Sequence, residues 1–166
     1  MLKNRTYNRN AAVDYALKYA LVRNPEYFNY TTSGGNCTNY ISQCIYAGAP
    51  KMNFTDNGWY YISPANTSTS WANVEPLYNF LINNKSVGPY ATISPLEVCD
   101  VGDVIQLRFG DASAFGHSLI ITKIESRTPT GIYVCANTND VKNRQLSQYN
   151  YVELRLLHIL GYRIEE

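Results

Sequence analysis

Residues 31–49 read TTSGGNCTNYISQCIYAGA, and this stretch decides how the rest of the chain is read. Two glycines and an asparagine lead straight into Cys37. From there Tyr40, Ile41, Cys44, Ile45 and Gly48 fall in one stripe at helical spacing. The pattern predicts a helix that begins at the cysteine, with Gly34 and Gly35 supplying the freedom for a sharp turn before it. The first turn of a helix leaves its N–H groups unpaired and carries the positive end of the macrodipole, so a thiolate is favoured there. The competing reading is that Cys37 packs as a small apolar residue, as most free cysteines do. A partner base decides between the two.

The chain has two histidines. His158 lies in ELRLLHILGYRI, on the face of Leu154 and Leu156, and reads as a structural residue. His117 follows GDASAFG and opens the strand-like run HSLIITKIE, a place held by a sheet yet open to a cleft. The turn ESRTPTG folds that run back onto GIYVCANT. With the turn centred near Thr128, facing residues have numbers summing to about 254–257 in an antiparallel pair. His117 is then expected opposite a residue between Asn137 and Asp140. The amide oxygen of Asn137 suits an imidazole N–H; Asp140 offers the same chemistry from the loop beyond. Cys37, His117 and Asn137 thus make a candidate cysteine triad of nucleophile, base and orienting amide.

Composition narrows the function classes. A length of 166 residues suits one domain over 1–166 with a proper core. Fourteen basic and 13 acidic residues give a formal charge of +1 and are scattered, without the basic block that nucleic acid or an anionic membrane surface attracts. No apolar run approaches the ~20 residues that span a bilayer, so no membrane insertion is expected. The opening MLKNRTYNRN has neither the basic nor the apolar region of a signal peptide. The expected setting is the cytosol, or a domain cut from a longer secreted or delivered bacterial protein. The four cysteines show no C-x-x-C pattern, so neither a metal nor a cofactor is expected, and reduced thiols are the default. Cys37 and Cys44 stand two helical turns apart, roughly 10 Å, too far for a disulfide within the helix.

Periodicity orders the elements. NAAVDYALKYALVRN predicts a first helix capped by Asn10, broken at NPEYF. The helix from Cys37 comes second. Residues 49–70 read as a long irregular segment, and SWANVEPLYNFLINN as a third helix capped by Ser70 with a bend at Pro76. After Cys99 the runs DVIQLRF, HSLIITKIE, GIYVCANT and YVELRLLHILGYRI read as strands. Helices first and strands second predict an α+β fold, with N-terminal helices packed on a C-terminal antiparallel sheet.

These segments resemble the putative amidase domain family, a branch of the NlpC/CHAP-like, papain-related cysteine hydrolases. YNRNAAVDYALKYA and NPEYF resemble its opening helix, and GGNCTNYISQCIYAGAP its nucleophile segment. WYY, SWANVEPLYNFL, VGDVIQLRFGD, HSLIITKI, ANTND and LHILGYRI follow in the family's order. The resemblance implies a papain-like/NlpC-like fold, Cys37 as nucleophile and His117 as base. Where the family commonly has Asp before the nucleophile this chain has Asn36, and where it often has His as third member this chain has Asn137. The upstream oxyanion glutamine of papain has no counterpart among Thr31, Thr32 and Ser33.

The implied activity is hydrolysis of an amide through a thioester acyl-enzyme, on peptide or peptidoglycan-type amides. One oxyanion donor is expected to be the Cys37 backbone N–H. Trp59 and Tyr60, with Tyr61 and Trp71, are candidate groove-lining aromatics or core residues. Gln106 either faces the cleft or satisfies a backbone group, Asp103 reads as turn chemistry, and Cys44 and Cys135 as core. A binding module with a weak or dead site, and an acyltransferase using the same triad, are the rival expectations.

Overall fold

The computed structural model describes residues 1–166. Its elements follow the chain as β1 (Leu2–Arg5), α1 (Arg9–Tyr19), α2 (Cys37–Gly48), β2 (Tyr61–Ser63), β3 (Asn66–Thr67), α3 (Thr69–Ala72) and α4 (Val74–Asn83). β4 (Gly88–Ser94), β5 (Val104–Arg108), β6 (His117–Ile124), β7 (Ile132–Ala136), β8 (Val141–Gln145) and β9 (Glu153–Glu165) complete the chain. Seven strands form one antiparallel sheet and β2 with β3 a separate small hairpin, an α+β architecture.

The long strand β9 is the spine of that sheet. Leu156 pairs with Ile105 of β5 and with Ser94 of β4, while Arg163 pairs with Asn4 of β1 and Gly88 of β4. A strand has two edges, so β5 and β1 share one and β4 takes the other. From β5 the order runs on through β6, β7 and β8. The β6–β7 hairpin pairs Ile120 with Cys135 and Ile124 with Ile132, within the register that a turn near Thr128 dictates.

Alternation along the central strands sorts the apolar residues into two cores. Val104, Ile120, Cys135 and Leu157 join the helices in a cluster of 20 buried residues. Ile105, Leu107, Leu119 and Ile121, of opposite parity, build a second cluster of 10 on the other face. Helix α2 lies deepest: nine of its 12 residues are buried, so each polar side chain on it needs a partner inside the protein. Ser42 donates to the Trp71 carbonyl at 2.8 Å and accepts from Trp59 Nε1 at 3.0 Å; Asn39 accepts from Trp71 Nε1 at 2.9 Å. The end of α2 is as close-packed, since a Cβ at Gly48 would stand 2.5 Å from the Asn8 carbonyl oxygen.

Several boundaries differ from the sequence expectation. The first helix is capped by Asn8, whose side-chain oxygen accepts from Ala11 N–H at 3.0 Å, and Asn10 lies inside it. The expected third helix is two helices, parted at Asn73, which has extended backbone (φ −131°, ψ 141°). Pro76 is the third residue of α4, where its missing N–H removes no intrahelical bond. β1, β4 and β8 carry no long apolar alternation; neighbouring strands make them.

Trp59 and Trp71 have no exposed surface and their rings lie 4.7 Å apart under α2. Trp59→Ala is expected to lower unfolding free energy by about 3–5 kcal/mol in denaturant titration, the usual cost of removing a buried indole. A loss under about 1 kcal/mol would mean that Trp59 is not core.

Candidate active site

The start of α2 is built to be open. Its N-cap residue Asn36 is buried and makes no side-chain cap bond. Instead the Asn36 amide accepts from Tyr30 N–H and from Asn39 Nδ2, both at 2.9 Å, and donates to Asn137 Oδ1 at 2.9 Å. The first intrahelical bond runs from Tyr40 N–H to the Asn36 carbonyl at 3.0 Å. The backbone N–H groups of Cys37, Thr38 and Asn39 therefore find no acceptor in the chain. Cys37 sits at this uncapped end and is partly exposed, whereas Cys44, Cys99 and Cys135 are buried; all four are free. The buried thiols of Cys44 and Cys135 are pushed up in pKa by desolvation, which keeps them protonated and inert.

His117 opens β6, where Leu107 pairs with it across from β5. It shares parity with Leu119 and Ile121, so it reaches the cleft from the side of the second core. Two aromatic rings of that core flank the imidazole, Phe109 at 6.4 Å and Tyr149 at 6.1 Å between centroids. The imidazole makes no hydrogen bond within the chain. Burial lowers its pKa from 6.5 to about 4, so at neutral pH it is an uncharged base. Tyr149, also driven by burial, is raised to about 12 and stays a neutral phenol.

A cleft of about 450 Å³ brings the two groups together. Gly34, Gly35 and Cys37 line it from the helix side, and Phe109, Gly116 and His117 from the sheet side. Thr138, Asn139, Arg144 and Tyr149 close the remainder. A larger hollow of about 530 Å³ between Asn53 and Ser86 contains neither Cys37 nor His117. Of the two hollows, only the smaller has both a thiol and an imidazole on its lining.

Bonds between neighbouring residues hold the halves of the cleft in register. Thr38, next to Cys37, and Ser118, next to His117, are buried and their hydroxyls lie 3.0 Å apart. Asn36 N–H donates to Thr138 Oγ1 at 2.7 Å. Thr138 takes φ 52° and Asn139 φ 60°, left-handed values that a β-branched threonine adopts only when its surroundings hold it.

Four sequence expectations are corrected here. Asn137 does not orient the imidazole: it is buried, its oxygen accepts from Asn36, and its nitrogen donates to the Ala20 carbonyl at 3.0 Å. By extension of the β6–β7 register, the position opposite His117 is 138. Gln106 is fully buried and does not face the cleft; it donates to the Val74 carbonyl at 3.0 Å and Ser118 Oγ at 3.2 Å, and accepts from Arg155. Trp59 belongs to the core. Tyr60 packs beside Phe54 at 5.5 Å, away from the residues that line the cleft. His158 is structural: its Nδ1 lies 2.7 Å from Asp103 Oδ2, and buried Asp103 also takes Arg9 Nη1 at 2.8 Å. Arg144, Tyr149, Phe109 and the Thr38–Ser118 pair were not foreseen. Adjacency of Thr38 and Ser118 to the two reactive residues was the one signal on offer. No three His, Cys, Asp or Glu side chains are grouped so as to hold a metal ion, and no helix is long and apolar enough to cross a membrane.

The fold and cleft are those of an α+β protein carrying a thiol and an imidazole on one wall-to-wall site. Residues 6–160 match the model of the putative amidase domain, and the chain belongs to that family, whose name suggests hydrolysis of amides. It is similar to the uncharacterized protein YhbB of Bacillus subtilis (strain 168), with 33% identity over 145 residues. That match covers 85% of this chain and 44% of YhbB, so the chain spans less than half of that relative's length. No solved structure matches the chain.

Two measurements check this geometry. Between pH 4 and 6.5 the unfolded imidazole of His117 binds more protons than the folded one, so stability rises with pH across that window. Wild type should lose up to about 3 kcal/mol as pH falls through it, and His117→Asn should lose less by a similar amount; parallel curves would contradict a buried neutral imidazole. Asn137→Ala should cost about 1–3 kcal/mol by leaving Asn36 and the Ala20 carbonyl unpaired, and a wild-type midpoint in denaturant would rule out the positioning role.

Proposed function

We propose that the protein is a cysteine-dependent amidase of papain-like/NlpC-like arrangement, acting through a thioester acyl-enzyme. The carrying observation is that the one partly exposed cysteine stands at an uncapped helix start, on the same cleft as a neutral imidazole. In this reading His117 takes the Cys37 proton as sulfur attacks the amide carbonyl. The oxyanion that forms faces the Cys37 N–H, with the unpaired Thr38 and Asn39 amides contributing to the same positive end. His117 then protonates the leaving amine as the C–N bond breaks and a thioester remains; His117 next draws a proton from the attacking water, the C–S bond breaks to release the acid, and the proton returns to the sulfur of Cys37. Asn137 acts through Asn36, as a positioning residue for the start of α2. The substrate class that fits the family resemblance is a peptide amide of the peptidoglycan stem or a related cell-wall amide.

Cys37 is the one partly exposed thiol and His117 is placed to take its proton, so iodoacetamide near pH 6 should label Cys37 alone, and His117→Ala should slow labelling at least about tenfold. Purified peptidoglycan digested by wild type should release stem-peptide fragments, identified by mass, that Cys37→Ala does not release. Fragments released equally by Cys37→Ala would end the nucleophile assignment; selective labelling without any fragment would favour a binding module or another amide.

A further inference from the structure

The cleft has one formally charged group on its wall at neutral pH, and it is not part of the thiol–imidazole pair. Arg144, on β8, lines the cleft, and no Asp or Glu lines it. Unlike Arg5, Arg9, Arg23, Arg108 and Arg155, Arg144 makes no ion pair. Its guanidinium carbon lies over the Tyr149 ring, 4.5 Å from the centroid, a cation–π contact. Its one hydrogen bond within the chain runs from Nη2 to the Gln148 carbonyl at 3.0 Å. Nε is buried without an acceptor, alone in that respect among the buried side-chain nitrogen and oxygen atoms of the protein.

No ligand reaches the buried Nε, but Nη1 also makes no bond within the chain and is not buried, so it is the charged donor that a ligand can meet. A guanidinium packed over an aromatic ring, with a reachable free donor and no acid paired to it, suits a carboxylate. We infer that Arg144 recognises a carboxylate of the substrate, so that the amide cleaved lies close to a carboxylate group. The inference rests on the amidase reading for its substrate, and on Arg144 alone for the anion.

The test uses two reagents that differ only in this feature. Iodoacetate and iodoacetamide both alkylate a thiolate with loss of iodide; one carries a carboxylate and the other a carboxamide. Rates at Cys37 are measured at pH 8, where any accessible thiol reacts, and are divided by the rates of glutathione with the same reagents. The iodoacetate-to-iodoacetamide ratio is expected to fall about tenfold in Arg144→Gln and less in Arg144→Lys, which keeps the charge but loses the fork. An unchanged ratio overturns the inference, including the case where both rates fall in step. Failure of selective labelling near pH 6 would sink the hydrolase reading and leave this ratio readable. Protection of Cys37 by N-acetylalanine or by N-acetylglutamic acid α-amide then separates a chain-terminal from a side-chain carboxylate; equal protection by their carboxamide counterparts also overturns the inference.

Discussion

The site depends on how the first turn of α2 is stapled to the ends of two strands. Thr38 Oγ1 and Ser118 Oγ share a hydrogen bond of 3.0 Å, and Asn36 bonds to both Asn137 and Thr138. These bonds join residues beside Cys37 to residues beside and opposite His117. Sequence separations of 80 to 102 residues are thereby closed at hydrogen-bond length. Behind Ser118, Gln106 ties the strand to the Val74 carbonyl and to Arg155, so the clamp is anchored in turn. Asn36, Thr38, Gln106, Ser118 and Asn137 are buried, and a buried network is worth most when every member is satisfied.

The electrostatics follow from which groups that network occupies and which it leaves free. By spending its amide on Tyr30, Asn39 and Asn137, Asn36 withholds the usual cap from α2. The positive end of the helix thus faces the cleft instead of a side-chain oxygen. On the other wall, the rings of Phe109 and Tyr149 keep water from the imidazole, which favours its neutral form. A neutral base beside a helix start can take the thiol proton as the sulfur becomes nucleophilic. Arg144 adds a positive charge on the same cleft without an acid to cancel it.

Much of this was legible in the chain because it is local. A helix starting at Cys37 follows from its glycines and apolar stripe, and His117 at a strand mouth from the change of period after Cys99. The hairpin register follows from one turn. Asn137 was misread because the ladder of strands ends before it. At Thr138 and Asn139 the backbone turns left-handed, alternation is lost, and the amide at 137 swings under α2. Trp59 and Gln106 were misplaced for a different reason. A WYY cluster or a strand glutamine looks the same whether a cleft or a helix lies above it; the packing of Trp59 under α2 decides the first, and the Val74 carbonyl with Ser118 and Arg155 the second. Arg144 lies in VKNRQ, a polar strand with no motif, and its significance is what surrounds it.

The most direct test of the central claim is an NMR pH titration of the His117 ring in wild type and in Cys37→Ser, with His117→Gln assigning the signal. If sulfur and imidazole share the cleft within proton-sharing reach, the wild-type ring reports two coupled steps, its own and the sulfur's, and the second vanishes in Cys37→Ser. Superimposable single-step curves would contradict the account.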